Sequence, residues 1–171
     1  MMDPILRYGG VITETPLLEN AYILAGDHAT VESLNIAGFP YTPVPPDKKK
    51  SWPYGVENED QMANNLVKLP DADIFVSHNP PWSIGSFNPL SGREEGSRAI
   101  LEHVLRTKTK LHVFGHTHEG HGVYRYKEEP TVFINVAYKW KGANAAIVVD
   151  LRKNSMEVEG VYMKINFWNY L

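Results

Sequence analysis

Ile74-Phe75-Val76-Ser77-His78-Asn79-Pro80-Pro81 sets a short apolar run against a histidine and two prolines. The run predicts a strand over 74–77 of the kind buried on both faces in a parallel sheet. Each proline fixes its own φ and restricts the residue before it, so the loop presenting His78 is stiff. The same design returns at Leu111-His112-Val113-Phe114-Gly115-His116-Thr117-His118, a strand that breaks into glycine and a His-x-His pair. Between the two, Ile100, Leu101, Val104 and Leu105 recur at helical spacing, and Ser91-Gly92-Arg93-Glu94 is a capping-box pattern that would open that helix. Strand, helix, strand is a crossover unit whose parallel strands end side by side. Ligand sites in such sheets form in the loops beyond those ends. His78, His116 and His118 are therefore expected within metal-sharing distance.

Upstream, Asn58-Glu59-Asp60-Gln61 is another capping box, followed by Met62, Leu66 and Leu69 on one face of a helix that should stop before Pro70. Residues 22–25 and 33–37 read as strands of a hairpin, with Gly26-Asp27 as its turn. Residues 39–54 hold five prolines and the run Lys48-Lys49-Lys50, a surface loop, and residues 1–19 read as irregular. Downstream, Tyr124 and residues 132–137, 145–151 and 158–163 suggest successive strands. The order is an α/β start with an antiparallel or mixed sheet at the end. We expect one domain over residues 1–171, with residues 156–171 as an aromatic C-terminal tail that docks on this domain or on a partner.

Composition narrows the chemistry. The 171 residues are 43% hydrophobic and 22% charged, with a net charge of −3, which leaves no electrostatic footprint for nucleic acid. With no cysteine, disulfides and thiolate metal sites are excluded, and any metal falls to His, Asp, Glu or Asn. No apolar run reaches the length of a membrane span, and residues 1–10 carry no signal-peptide pattern, so a cytoplasmic protein is expected.

Val76-Ser77-His78-Asn79-Pro80-Pro81 resembles the His-x-Pro-Pro block of calcineurin-like metallophosphoesterases, and Phe114-Gly115-His116-Thr117-His118 resembles their Gly-His-x-His block. Glu119-Gly120-His121-Gly122 and Phe133-Ile134-Asn135 are similar to segments of the branch containing the metallophosphoesterase-domain brain proteins, and residues 20–40 to its hairpin segment. The resemblance implies a calcineurin-like α/β/β/α sandwich with a two-metal centre between its sheets. His78 and His116 would bind one divalent ion (manganese, iron or zinc) and His118 the other, for hydrolysis of a phosphomonoester or phosphodiester. The family's Asp-x-His, Gly-Asp and Gly-Asn-His blocks are not found before His78, and Gly26-Asp27 is read as a turn, so the sandwich is expected to lack its N-terminal portion. The same incompleteness predicts a homo-oligomer or a partner that supplies the rest.

Other residues carry alternatives. His121 either reaches substrate catalytically, where relatives carry Tyr, or lies exposed on a glycine-rich turn. Asn79, Asn135 and Arg93 are candidates for contacting substrate or for supporting the ligands, Arg93 because it falls near the expected helix start. His103 and His112 read as structural or solvated, and Trp82 as stacking on an organic group or capping the core. Against the enzyme stands a second reading: an inactive or truncated phosphoesterase-like module that acts in binding or oligomerisation.

Overall fold

A computed structural model describes residues 23–44, 54–137, 145–152 and 158–165. The readings of residues 1–19, the Lys48 run and residues 166–171 lie outside the described residues.

Six strands form the main sheet: β1 (Asp27–Val31), β2 (Leu34–Phe39), β5 (Ile74–Ser77), β8 (Leu111–Phe114), β9 (Gly122–Arg125) and β10 (Val132–Asn135). They lie in the order β1-β2-β5-β8-β10-β9. The four central strands are parallel, and β1 and β9 are antiparallel edges. Helices α1 (Glu59–Leu66) and α2 (Arg98–Thr107) pack together on one face. Over the other face lies the antiparallel ribbon β11 (Ala145–Leu151) and β12 (Val158–Ile165). Two short strand pairs complete the connections: the parallel pair β3 (Thr42–Pro43) and β4 (Gly55–Val56), and the antiparallel pair β6 (Phe87–Asn88) and β7 (Arg93–Glu94).

Strand alternation divides the core. Phe39, Phe75, Phe114 and Phe133 point to the helices and meet Met62, Leu66, Ile100 and Val104. Leu111, Val132 and Ile134 point the other way and meet Ile147, Val149 and Val158 of the ribbon. The expected burial of β5 on both faces holds only on the helical side. Val76, on the ribbon side, is 40% exposed, because a two-stranded ribbon does not cover the whole face.

The first capping pattern opens its helix with Asn58 as the N-cap, and the Gln61 side chain returns to Glu57 N at 3.0 Å, one residue before the cap. Gln61 N–H donates to Asn58 Oδ1 at 3.0 Å, and Met62 and Leu66 are buried. The second pattern opens no helix. Asn88 Oδ1 accepts from Leu90 N and Ser91 N and closes a turn, so Ser91 caps nothing and Arg93 sits exposed in β7. Helix α2 starts six residues later, where Ile100 N–H donates to the fully buried Ser97 Oγ at 3.2 Å. Glu59 reinforces that start from α1, accepting from Ser97 Oγ at 2.8 Å and Ala99 N at 2.9 Å. A carboxylate there also complements the helix dipole. Leu105 is 37% exposed, and His103 takes the buried place instead. The N-terminal hairpin exists, but its turn is Glu32-Ser33, with φ of 48° and 70°. Two consecutive positive φ values match the twist of paired strands. Gly26 instead extends the ladder, its N–H donating to Gly38 O at 3.0 Å.

His112 is wholly buried among Phe75, Phe114 and Phe133. Its Nε2 lies 2.8 Å from Ser77 Oγ, whose proton is committed to Asn79 O at 2.6 Å. The Nε2–H tautomer follows, with Nδ1 buried and unpartnered. Burial, then His103, pushes the His112 pKa down to about 3. A histidine that must stay neutral when folded contributes stability above its unfolded pKa, and that contribution is lost as pH falls toward the folded value. Acidification from pH 7 to 5 should therefore remove about 2 kcal/mol through this residue. Urea unfolding at the two pH values measures it, and His112→Gln should flatten the dependence.

No helix among the described residues is long and apolar enough to cross a membrane.

Candidate metal centre

Strands β2, β5, β8 and β10 deliver their carboxyl ends to one edge of the sheet, and backbone hydrogen bonds continue between the loops beyond it. His78 N donates to Phe39 O at 3.1 Å, Gly115 N to His78 O at 3.2 Å, and Val136 N to Phe114 O at 2.8 Å. The Pro80-Pro81 loop is stapled to the start of α2: Ser97 N donates to Pro80 O at 2.9 Å, and Trp82 N to Ser97 O at 3.0 Å. Gly96 is required there, since a Cβ would come within 2.6 Å of Pro81 O.

The chain turns sharply after β8. His116 adopts φ of 68°, a left-handed conformation that costs a side-chain-bearing residue about 1 kcal/mol. The turn carries its ring toward β5, and His78 Nε2 and His116 Nδ1 lie 3.1 Å apart. Two bare lone pairs repel at that separation, so a proton or a cation must lie between them. Two nitrogens on one tetrahedral zinc stand about 3.4 Å apart, given zinc–nitrogen bonds of about 2.0–2.1 Å. The pair therefore fits a metal with a small outward movement. Partial desolvation of each ring lowers both pKa values; His116 further lowers that of His78, and His118 that of His116, against a rise from Glu95. Both imidazoles are thus favoured in the neutral form a metal needs.

His118 opens a single 3-10 turn, His118–Gly120, one residue beyond the buried Thr117. It is close enough to influence His116 electrostatically. Among the described residues, however, no three His, Asp or Glu side chains converge as a metal cluster. Of the three expected ligands, the structure brings two into contact and sets the third beside them.

Asn135, buried at the end of β10, ties the surrounding loops. Its Nδ2 donates to Gly85 O and Thr117 O, both at 2.9 Å, and its Oδ1 accepts from Ala137 N at 2.9 Å. Asn79 is also buried: Oδ1 accepts from Thr42 Oγ1, and Nδ2 donates to Glu95 O at 3.1 Å. Its amide is therefore committed to holding the loop. His121 places Nδ1 3.0 Å from Ala137 O, so Nδ1 donates and Nε2 is the acceptor. Arg93 is not at a helix start; the arginine there is Arg98, whose guanidinium lies 4.2 Å from the centre of the Trp82 ring.

Glu95 escaped the sequence reading. Its Oε2 is 3.9 Å from His116 Nε2, and its Oε1 accepts from Asn88 Nδ2 at 2.8 Å. No spacing rule marks a loop acid that reaches the site through a turn formed by residues 87–94.

No family model matches the chain. Human metallophosphoesterase domain-containing protein 1 is 29% identical over 140 residues, 79% of this chain and 41% of that protein. A UPF0046 protein of Caenorhabditis elegans is 29% identical over 127 residues, 74% of this chain and 41% of its own length. The chain thus spans about two fifths of the relatives it matches. One solved crystal structure, 15% identical, superposes with a TM-score of 0.55 over 83% of this chain and 54% of the other. The two histidine blocks, the relatives and the strand order agree: this chain is a relative of the metallophosphoesterase-domain and UPF0046 proteins, with a calcineurin-like phosphoesterase fold.

Proposed function

We propose that this chain supplies the imidazole side of a metal-dependent phosphoesterase centre, acting in the whole protein on a phosphomonoester or phosphodiester. The observation that carries the reading is the 3.1 Å approach of His78 Nε2 and His116 Nδ1 at neighbouring parallel strand ends. A divalent cation of manganese, iron or zinc supplies Lewis acidity toward a phosphoryl oxygen. His78 and His116 hold one such ion, and His118 serves the second. Asn135 fixes the turn that carries His118, because it grips the carbonyl of Thr117 immediately before it. His121, with Nδ1 anchored on Ala137 O, offers Nε2 as a proton acceptor.

A cytoplasmic location is part of this proposal, as is assembly, either as a homo-oligomer or with a partner that completes the site. The second reading is a binding or oligomerisation module without catalysis. Among the described residues no carboxylate joins the histidines in a metal cluster. Hydrolysis of a chromogenic phosphodiester separates the two. We expect weak turnover that depends on added manganese and falls to background in His116→Ala. Turnover by the whole protein that is absent, or that survives in His116→Ala, overturns the enzymatic reading.

A further inference from the structure

We propose that Glu95 is a positioning residue for His116: its carboxylate holds the Nε2–H edge of the imidazole and so turns the Nδ1 lone pair toward His78. The proposal rests on the reading of His78 and His116 as a ligand pair.

Glu95 and His78 face different nitrogens of the same ring. His78 Nε2 is 3.1 Å from His116 Nδ1, while Glu95 Oε2 is 3.9 Å from His116 Nε2. The two lone-pair directions of an imidazole diverge, so a cation held by His78 Nε2 and His116 Nδ1 would lie on the side of the ring away from Glu95. The carboxylate therefore braces the ring from behind. A partner on the remote nitrogen fixes the tautomer of a ligating histidine and raises its basicity.

Glu95 is itself held for this task. Asn88 Nδ2 donates to Oε1 at 2.8 Å, leaving Oε2 directed at His116. Its backbone is pinned on both sides, with Glu95 N donating to Ser86 O at 3.0 Å and Glu95 O accepting from Asn79 Nδ2 at 3.1 Å. The two backbone anchors do not use the Glu95 side chain, so the Glu95 backbone should stay in place when that side chain is replaced, while the contacts of Oε1 with Asn88 Nδ2 and Ser91 Oγ are lost. The same Asn79 follows His78, so one short network links the supports of both imidazoles. At 3.9 Å the pair attracts without a full hydrogen bond, and such contacts tighten when the site is loaded. A cation held at Nδ1 would withdraw electron density from the ring, and Nε2–H would then be a stronger donor to Glu95.

Imidazole nitrogen NMR on the metal-free protein at pH 8, together with zinc titration calorimetry, tests this. In the wild type His116 should be the Nε2–H tautomer. Glu95→Ala should mix its tautomers and weaken zinc binding roughly 10-fold to 100-fold. Glu95→Gln, whose amide oxygen still accepts, should keep most of the tautomer preference and lose less affinity. Asn88→Ala, which releases the carboxylate but retains it, should fall between wild type and Glu95→Ala. An Nε2–H tautomer that persists undiminished in Glu95→Ala overturns the proposal. So does equal loss of zinc affinity in the Gln and Ala variants with the tautomer unchanged, which assigns Glu95 as a direct ligand. If the wild type binds no zinc, the ligand-pair reading fails by itself, and the tautomer comparison still decides the role of Glu95.

Discussion

His116→Ala is expected to reduce divalent-metal content to background. The protein should be purified, exposed to equimolar manganese or zinc, desalted, and measured by elemental mass spectrometry beside the wild type and His78→Ala. The two variants should fail alike, because the 3.1 Å nitrogen pair is one binding unit and either half alone is a single imidazole. Supporting groups around bound metals are worth roughly 10-fold to 100-fold in affinity, so loss of a direct ligand should cost about 100-fold or more. Folding should be little affected, since neither side chain belongs to the buried core. His116→Ala still keeps a positive φ, a strain the original residue already bears. Metal bound equally by all three proteins would show that the strand-end pair is not the site.

Asn135 should give the largest effect on stability. Its side chain satisfies Gly85 O, Thr117 O and Ala137 N from a fully buried position. Asn135→Ala leaves all three without that partner. An unsatisfied buried polar group costs about 1–3 kcal/mol, and some water entry is expected, so the loss should be about 3 kcal/mol. Asn135→Asp is nearly isosteric yet should be worse at neutral pH. It sets a carboxylate oxygen against the two carbonyl oxygens that the amide now serves. Burial against two carbonyl oxygens, with Ala137 N as the donor that remains, raises the folded-state pKa of that acid above its unfolded value. The deficit of the Asp variant should therefore shrink as pH falls through the raised pKa, the reverse of the His112 effect. Urea unfolding between pH 7 and 5 reads both. An Asp variant as stable as wild type at pH 7 would contradict the hydrogen-bond assignment.

The contrast between Asn135 and Asn79 shows what motif reading resolves. Both were candidates for touching substrate or for supporting the ligands. In the structure both amides are consumed by backbone or neighbouring side chains, Asn135 by three loops and Asn79 by Thr42 and Glu95 O. A strand-end asparagine is visible in a sequence; which carbonyls surround it is not. Arg93 failed for a related reason. Ser91-Gly92-Arg93-Glu94 is a sound capping pattern, but Asn88 captures the local N–H groups first, and the helix waits for Ser97. Competing caps separated by a few residues differ by about 1 kcal/mol, which packing against Glu59 decides.

What the sequence determined by itself was local and periodic. The β5 and β8 strands, the crossover helix and the parallel adjacency of two histidine loops follow from apolar spacing and from the handedness of crossovers. These are short-range rules, and the structure obeys them at β5, β8 and α1. Tertiary structure decided the chemistry of the ring edges. The left-handed turn at His116 aims Nδ1 at His78, and the turn at Asn88 brings Glu95 behind the same ring. Both depend on contacts between residues far apart in the chain, 38 positions for the histidine pair. Such contacts become definite only when the sheet has closed and the loops have competed for the same donors.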